Sequence, residues 1–286
     1  MAKVTTISSL GWAHYTLYEA LPRIAERGFR QMEIASFATY CFHFNFGSPE
    51  PIELKDMLNT HCLAPICLNF WGGPQFAWKP EDVEGFITLS RKKIEHCRKV
   101  GIPKMVMHIG FDNPRRDRKK QLETMIKAYD RVGRIGSQNG VKMLLEVPHM
   151  FSLIHDVQTV LWILERLNSS NVGILIDSSH WGVMGYDIDD YLKAIGDRLW
   201  HVHLRDSKVF GPGKYDLELT PGKGTVDFSK FAFALDKAGY QGDVSLEFEY
   251  RDVSLSVIEK EFDAGIRHLA RQGWLFPKDV NTKYTV

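Results

Sequence analysis

Short runs of apolar and β-branched residues recur along the chain, each followed by a longer stretch with helical character. The runs are VTTIS (4–8), QMEIA (31–35), APICLNF (64–70), KMVMHIG (104–110), KMLLEV (142–147), VGILIDS (172–178), LWHVHL (199–204) and DVSLEF (243–248). They begin 27 to 44 residues apart, the repeat of a strand followed by a helix. The stretch 80–100 shows how the intervening helices are marked. Pro80 and acidic residues open it, Lys and Arg gather at its end, and Gly101 stops it. Residues 119–138 and 254–272 read the same way. Eight such units without a break in composition predict an α/β protein built as a single (β/α)8 TIM barrel over residues 1–286. A doubly wound sheet is the competing arrangement.

Two connections are longer than is usual between a strand and its helix. Residues 36–50 are rich in aromatics, and residues 205–227 in Gly, Lys and Asp. Both follow strands, so both are expected on the C-terminal face, where barrel active sites lie. They are read as covers over a substrate, with Phe42, Phe44 or Phe210 turned to the pocket. Surface decoration is the plainer account. Lys214, Lys223 and the Gly-rich segment 221–224 are candidates to meet a phosphate, although such a segment is more often only a turn.

Composition narrows the function classes. The 286 residues are 44% hydrophobic and 25% charged, ordinary for a soluble globular protein. Basic and acidic residues number 36 and 35, which argues against a protein built to grip a nucleic-acid backbone. Cys41, Cys62, Cys67 and Cys97 show no CxxC spacing and read as reduced thiols, with Cys62 and Cys67 as core filler. The chain shows no signal-peptide pattern at its start and no apolar run of membrane-spanning length. A cytoplasmic protein with no membrane partner is the expectation.

Candidate chemistry sits at the ends of four consecutive strands: Glu146, Asp177, His203 and Glu247. One acid at a strand end is commonly a helix cap or an ion-pair partner. Four such residues on adjacent strands, three acids and a histidine, each in an apolar run where a lone charge is costly, point to a shared cation. Three carboxylates and one imidazole suit Mn2+ first, with Mg2+, Co2+ or Zn2+ as alternatives. The two-residue period places His201 on the same face as His203, one layer deeper, as a supporting or packing residue. His180 and His149 each follow an acid by three residues and can fold over the site. His108 near the end of the fourth strand is a further pocket candidate; Glu33 on the second strand is the weakest. A metal that chelates a carbonyl and its neighbouring hydroxyl acidifies the carbon between them. Glu146 and Glu247, on non-adjacent strands, can then act as an acid/base pair. The outcome is epimerisation, isomerisation or, with a β leaving group, elimination.

The segments LLEVPH (144–149), ILIDSSH (174–180), HVHLRDS (201–207), TPGKGTVDF (220–228) and SLEFE (245–249) resemble the xylose isomerase-like sugar isomerase/epimerase superfamily. The likeness is to the branch with D-tagatose and D-allulose 3-epimerases, hydroxypyruvate isomerase and 2-keto-myo-inositol dehydratase. It implies a metal-dependent enzyme with a small carbohydrate substrate. Glu146, Asp177, His203 and Glu247 would be ligands, the two glutamates the catalytic pair, and His180 a substrate contact. His149, His108 and Arg205 complete the expected substrate-binding set. A homo-oligomer is expected from the same likeness. One departure stands out. Ketose 3-epimerases carry a substrate-binding arginine six residues after the histidine ligand, where this chain has Val209. Arg205 and Lys208 are near but out of register. A metal-dependent lyase on 3-oxo-sugars is therefore the alternative. It would resemble either keto-inositol dehydratase or the large subunit of C-glycoside deglycosidases, and the latter would bring a small partner subunit. An endonuclease-IV-like DNA repair enzyme is more remote, because strand three ends in Asn69–Phe70 rather than in histidine. A non-catalytic binding protein would not require so complete a ligand set.

Overall fold

The structure is a computed structural model that describes residues 2–37, 39–45, 48–71, 80–107, 110–150, 152–250 and 253–284. Eight parallel strands close into a barrel in the order β1-β10-β7-β6-β5-β4-β3-β2. They are β1 (Thr6–Ser8), β2 (Gln31–Phe37), β3 (Ala64–Trp71), β4 (Lys104–Met107), β5 (Lys142–Glu146), β6 (Val172–Asp177), β7 (Leu199–Leu204) and β10 (Asp243–Leu246). The remaining two, β8 (Asp206–Gly211) and β9 (Lys214–Leu219), form an antiparallel hairpin after β7. The helices are α1 (Leu17–Glu26), α2 (Pro51–Thr60), α3 (Pro80–Val100), α4 (Arg118–Gln138), α5 (Val157–Leu164), α6 (Ser178–Met184), α7 (Ile188–Ile195), α8 (Phe228–Lys237), α9 (Leu255–Arg271) and α10 (Lys278–Tyr284). Among the described residues no helix is long and apolar enough to cross a membrane.

The eight expected strands are present, with shifts at their ends. The first is shorter than 4–8 because Val4 donates its N–H to the Leu275 carbonyl, tying the start of the chain to the turn after α9. The last stops at Leu246, which leaves Glu247 just beyond the strand. Region 205–227 is a strand pair and turn rather than an open loop.

Alternation sorts the strand residues into two populations. Met143 and Leu145 of β5, Ile174 and Ile176 of β6, and Val202 and Leu204 of β7 join the main apolar core shared with the helices. The intervening positions face the lumen. Cys67, Val106, Leu144 and Leu175 make a small inner apolar cluster with Ile66. Along the same lumen-facing rows lie Glu33, Asn69, Lys104, Glu146, Asp177, His201, His203 and Asp243. A barrel interior is normally filled by branched aliphatic side chains. This one is polar over much of its depth, so its charges must be balanced within it.

Cys67 is buried as expected, but Cys62 is exposed, in the turn after α2 with a positive φ of 53°. Cys41 and Cys97 are also buried, and all four thiols are free.

Candidate functional site

Parallel strands deliver the four expected ligand residues to one end of the barrel. Glu146 and Asp177 are the last residues of β5 and β6, His203 is the penultimate residue of β7, and Glu247 follows β10. Each offers an atom such that all four lie within 4.8 Å of one another. His203 Nδ1 is 3.1 Å from Glu247 Oε2 and 3.8 Å from Glu146 Oε1. That nitrogen is buried and has no hydrogen-bond partner. An orphaned ring nitrogen surrounded by carboxylate oxygens is what a cation-binding cluster presents, and three oxygens with one nitrogen suit a hard or borderline divalent ion. The residues therefore fit a metal.

Asp177 also performs the ordinary tasks of an acid at a strand end. Its Oδ1 accepts from Ser179 N at 2.6 Å, capping α6, and its Oδ2 accepts from Arg205 at 2.7 Å. An ionised carboxylate has about four acceptor sites, so capping and ligation are compatible. Glu247 Oε1 accepts from Asn69 Nδ2 at 2.6 Å, which fixes its plane. Burial pushes the Glu247 carboxyl up to about 7, against the pull of His203 and Arg205. For Glu146 burial also pushes upward, but His203, with smaller contributions from His149 and His180, outweighs it and holds the group well below the usual carboxylate range. Burial lowers His203, yet Glu247 and Glu33 outweigh it and hold the imidazole well above its ordinary value. Three carboxylates thus attract positive charge to one point.

A cavity of about 320 Å³ opens onto this cluster. Glu146, Glu247, Asn69, His149, His180, Arg205 and Glu249 form its polar side, and Phe37, Tyr40, Phe70, Trp71 and Phe111 its aromatic side. His180 is 1% exposed, and neither of its ring nitrogens has a hydrogen-bond partner in the structure. Its Nε2 is 4.0 Å from Glu146 Oε1. His149 packs against it, ring centroids 4.0 Å apart. Burial lowers His180 to about 4 and His149 to about 3, so both enter the site as neutral imidazoles. His108 lies outside the described residues.

The two long connections do contribute to the pocket, but through other side chains than expected. Phe37 and Tyr40 supply the first, Leu217 and Glu218 the second. Phe42 and Phe210 are exposed, and Phe44 is fully buried under the Lys93 ammonium, 4.9 Å from its ring centre. An aromatic ring is drawn into the core wherever the core has room for it, and a loop location does not prevent this. The phosphate reading of 221–224 also fails. Gly222 N and Gly224 N donate to Asp206 Oδ2 at 2.9 and 2.8 Å, while Lys223 pairs with Glu261. Asp206 is the anion that this glycine turn was built to receive. Lys214 lies on the exposed hairpin, outside the cavity.

Several site residues escaped the sequence reading. Glu249 repeats the two-residue period after Glu247 and is held by Arg205 at 3.1 Å and by the Tyr40 hydroxyl. Asn69 occupies the strand-three position noted only for lacking histidine. Glu33, ranked weakest, is fully buried and stands 2.9 Å from His203 Nε2. Period-two counting from Glu247 could have found Glu249; nothing local announces Glu33. Val209 is exposed on β8, so the arginine of ketose 3-epimerases has no counterpart from that position.

Comparison with known proteins follows the same lines. The profile of a family described as xylose isomerase-like TIM barrel matches residues 21–272. An inosose isomerase of Bacillus velezensis is 25% identical over 202 residues, 68% of this chain and 70% of that protein. That of Halalkalibacterium halodurans is 25% identical over 232 residues, 73% and 80% of the two chains. The solved D-psicose 3-epimerase of Clostridium cellulolyticum superposes with a TM-score of 0.74 at 17% identity, covering 93% of this chain and 98% of that one. A 3-keto-D-glucoside 4-epimerase from E. coli gives 0.74 at 17%, covering 92% and 99%. At such identities the structural likeness shows the fold.

Proposed function

The chain belongs to the xylose isomerase-like TIM barrel family, and on that premise we propose that it is a divalent-metal-dependent isomerase or epimerase of a small sugar or keto-sugar derivative. Glu146, Asp177, His203 and Glu247 hold the ion, with Mn2+ the preferred metal. The observation that carries the reading is the orphaned His203 Nδ1 among three carboxylates, two of which, Glu146 and Glu247, line a cavity whose only fully buried imidazole without a hydrogen-bond partner is His180 among the described lining residues. A bound divalent ion polarises a substrate carbonyl and so acidifies the adjacent C–H.

The protein's own groups do the rest. Glu146 and Glu247 come from β5 and β10, separated in the barrel by β6 and β7. They therefore approach a bound carbon from different sides, one to remove the proton and one to return it. Asn69 and Arg205 keep Glu247 and Asp177 in place. His180, neutral and without a partner, offers a hydrogen bond to a substrate oxygen. The aromatic side supplies apolar faces for the C–H surfaces of a sugar and keeps water from the reacting carbon.

Elimination is the second reading. It is favoured by the exposed Val209, which stands where ketose 3-epimerases carry a substrate-binding arginine. Some curated relatives are named inosose dehydratase, one from Geobacillus thermodenitrificans at 26% identity over 143 residues. Both readings begin with the same proton abstraction. The test is a screen of inososes, 3-oxo-glucosides and ketoses in D2O with Mn2+. Deuterium entering a C–H beside the carbonyl supports the proposal, and loss of water separates dehydration from epimerisation. Turnover without exchange, in particular by hydride transfer, would refute it.

A further inference from the structure

A polar column runs down the lumen beneath the candidate metal site. Lys104 pairs with the Asp243 carboxylate, and its ammonium lies 3.3 Å from His201 Nδ1. His201 Nε2 is 3.1 Å from Glu33 Oε2, and His203 Nε2 is 2.9 Å from that same oxygen. His203 Nδ1, on the far side of its ring, faces the carboxylates of the cluster. Glu33, His201 and His203 are all fully buried.

The chemistry of these groups permits one arrangement of protons when a cation is bound. An ammonium can only donate, so His201 Nδ1 accepts and the His201 proton sits on Nε2. That N–H donates to Glu33. An ionised carboxylate can only accept, so His203 Nε2 must carry a proton too. The lone pair of His203 is then on Nδ1, toward Glu146 and Glu247. The order of donors and acceptors is fixed from Lys104, at the deep end of β4, up to the site.

We infer that Glu33 is a positioning residue that locks His203 in its Nε2–H tautomer and so presents Nδ1 to the cation, with His201 and Lys104 holding the carboxylate in line from below. The inference rests on the reading of the four-residue cluster as a metal site. It also accounts for a second grouping of ligand-type atoms, Glu33, Cys67 and His201, within 4.8 Å of one another. Lys104 already brings a positive charge to His201, and both His201 nitrogens are engaged. The column therefore holds no second ion, and one metal per chain is expected.

The test is a Mn2+ titration of the whole chain, read by the EPR signal of free aquo Mn2+, with melting curves in EDTA. Glu33→Gln keeps the shape of the side chain, but its amide can donate as well as accept, so the tautomer is no longer fixed. Binding should weaken by about 10- to 100-fold, the range for losing the outer partner of a ligating histidine. Lys93→Met is the control for a merely structural loss. Lys93 is a buried lysine on α3 whose ammonium reaches Ser36 and the Phe44 carbonyl. It should lower the melting temperature and leave Mn2+ affinity unchanged. Wild-type affinity in Glu33→Gln, or two ions per wild-type chain, overturns the inference. Wild type that binds no Mn2+ overturns the metal site itself. If Glu33→Gln does not fold, 15N-histidine wild type loaded with Zn2+ decides. Metal on His203 Nδ1 with a proton on Nε2 supports the inference, and metal on Nε2 overturns it.

Discussion

Arg205 donates to Asp177 Oδ2 at 2.7 Å and is itself buried, so one guanidinium neutralises charge at the edge of the ligand cluster. It also reaches Glu249 at 3.1 Å and Glu247 at 3.8 Å. Removing one member of a buried ion pair leaves the other uncompensated, at a cost of about 3–5 kcal/mol. Arg205→Met should therefore melt well below wild type in EDTA. A cation in the cluster replaces part of the lost positive charge, so the gap should narrow with saturating Mn2+. Calorimetry with and without metal checks this; an equal gap in both conditions would mean that Arg205 and the ion do not share a field.

Asp206 gives a prediction about the cover. Its carboxylate accepts from the backbone of Ser207, Gly222, Gly224 and Val226, and it is 1% exposed. Asp206→Ala leaves these donors without their acceptor, with a penalty of about 1–3 kcal/mol for each one that stays buried. Urea unfolding should show a loss of at least about 2 kcal/mol. Gly224→Ala should also destabilise, because a Cβ there would sit 2.3 Å from Asp206 Oδ1 and from the Ser207 carbonyl. Little change in either variant would mean that the turn finds its hydrogen bonds elsewhere.

His180 bears on catalysis and on acid stability. His180→Gln should lower turnover while Mn2+ occupancy stays near wild type, since His180 is outside the four-ligand set. The pH effect has a defined sign. An unfolded histidine takes up its proton near about 6.5, and the folded one only near 4 because of burial. Unfolding thus binds a proton between these values, and stability is lost as pH falls through the window. His180→Gln removes that contribution and should lose less stability than wild type between pH 6.5 and 4. A steeper acid loss in the variant would contradict the neutral, buried imidazole.

The four-residue cluster can be read from sequence because each residue is a polar end to an apolar strand, and parallel strands deliver their ends to one face. The same logic covers His180, three residues past Asp177 on the first turns of α6. Glu33 is different in kind. It lies in the middle of QMEIA and meets His203 across the lumen, 170 residues away in the chain. Only closure of the barrel makes them neighbours, and no local period encodes that. Phe44 and Asp206 illustrate the other failure. An aromatic in a long connection looks like a cover, and a glycine turn looks like a phosphate cradle. In each case a single distant side chain, Lys93 or Asp206, decides the outcome.

The two glutamates carry the proposed chemistry. Glu146→Gln and Glu247→Gln each retain shape and lose the base. Deuterium exchange into substrate should fall by at least about 10²-fold in either variant, with Mn2+ occupancy measured alongside because both residues belong to the proposed metal site. A double variant that kept its metal and exchanged at the wild-type rate would require another base, with His149 the nearest candidate.

Anomalous diffraction from a crystal soaked in Mn2+ would locate the ion itself. One strong peak per chain is expected, with oxygens of Glu146, Asp177 and Glu247 and Nδ1 of His203 within about 2.0 to 2.6 Å of it. No peak at that point, a peak ligated by His203 Nε2, or several ions across the pocket would contradict it.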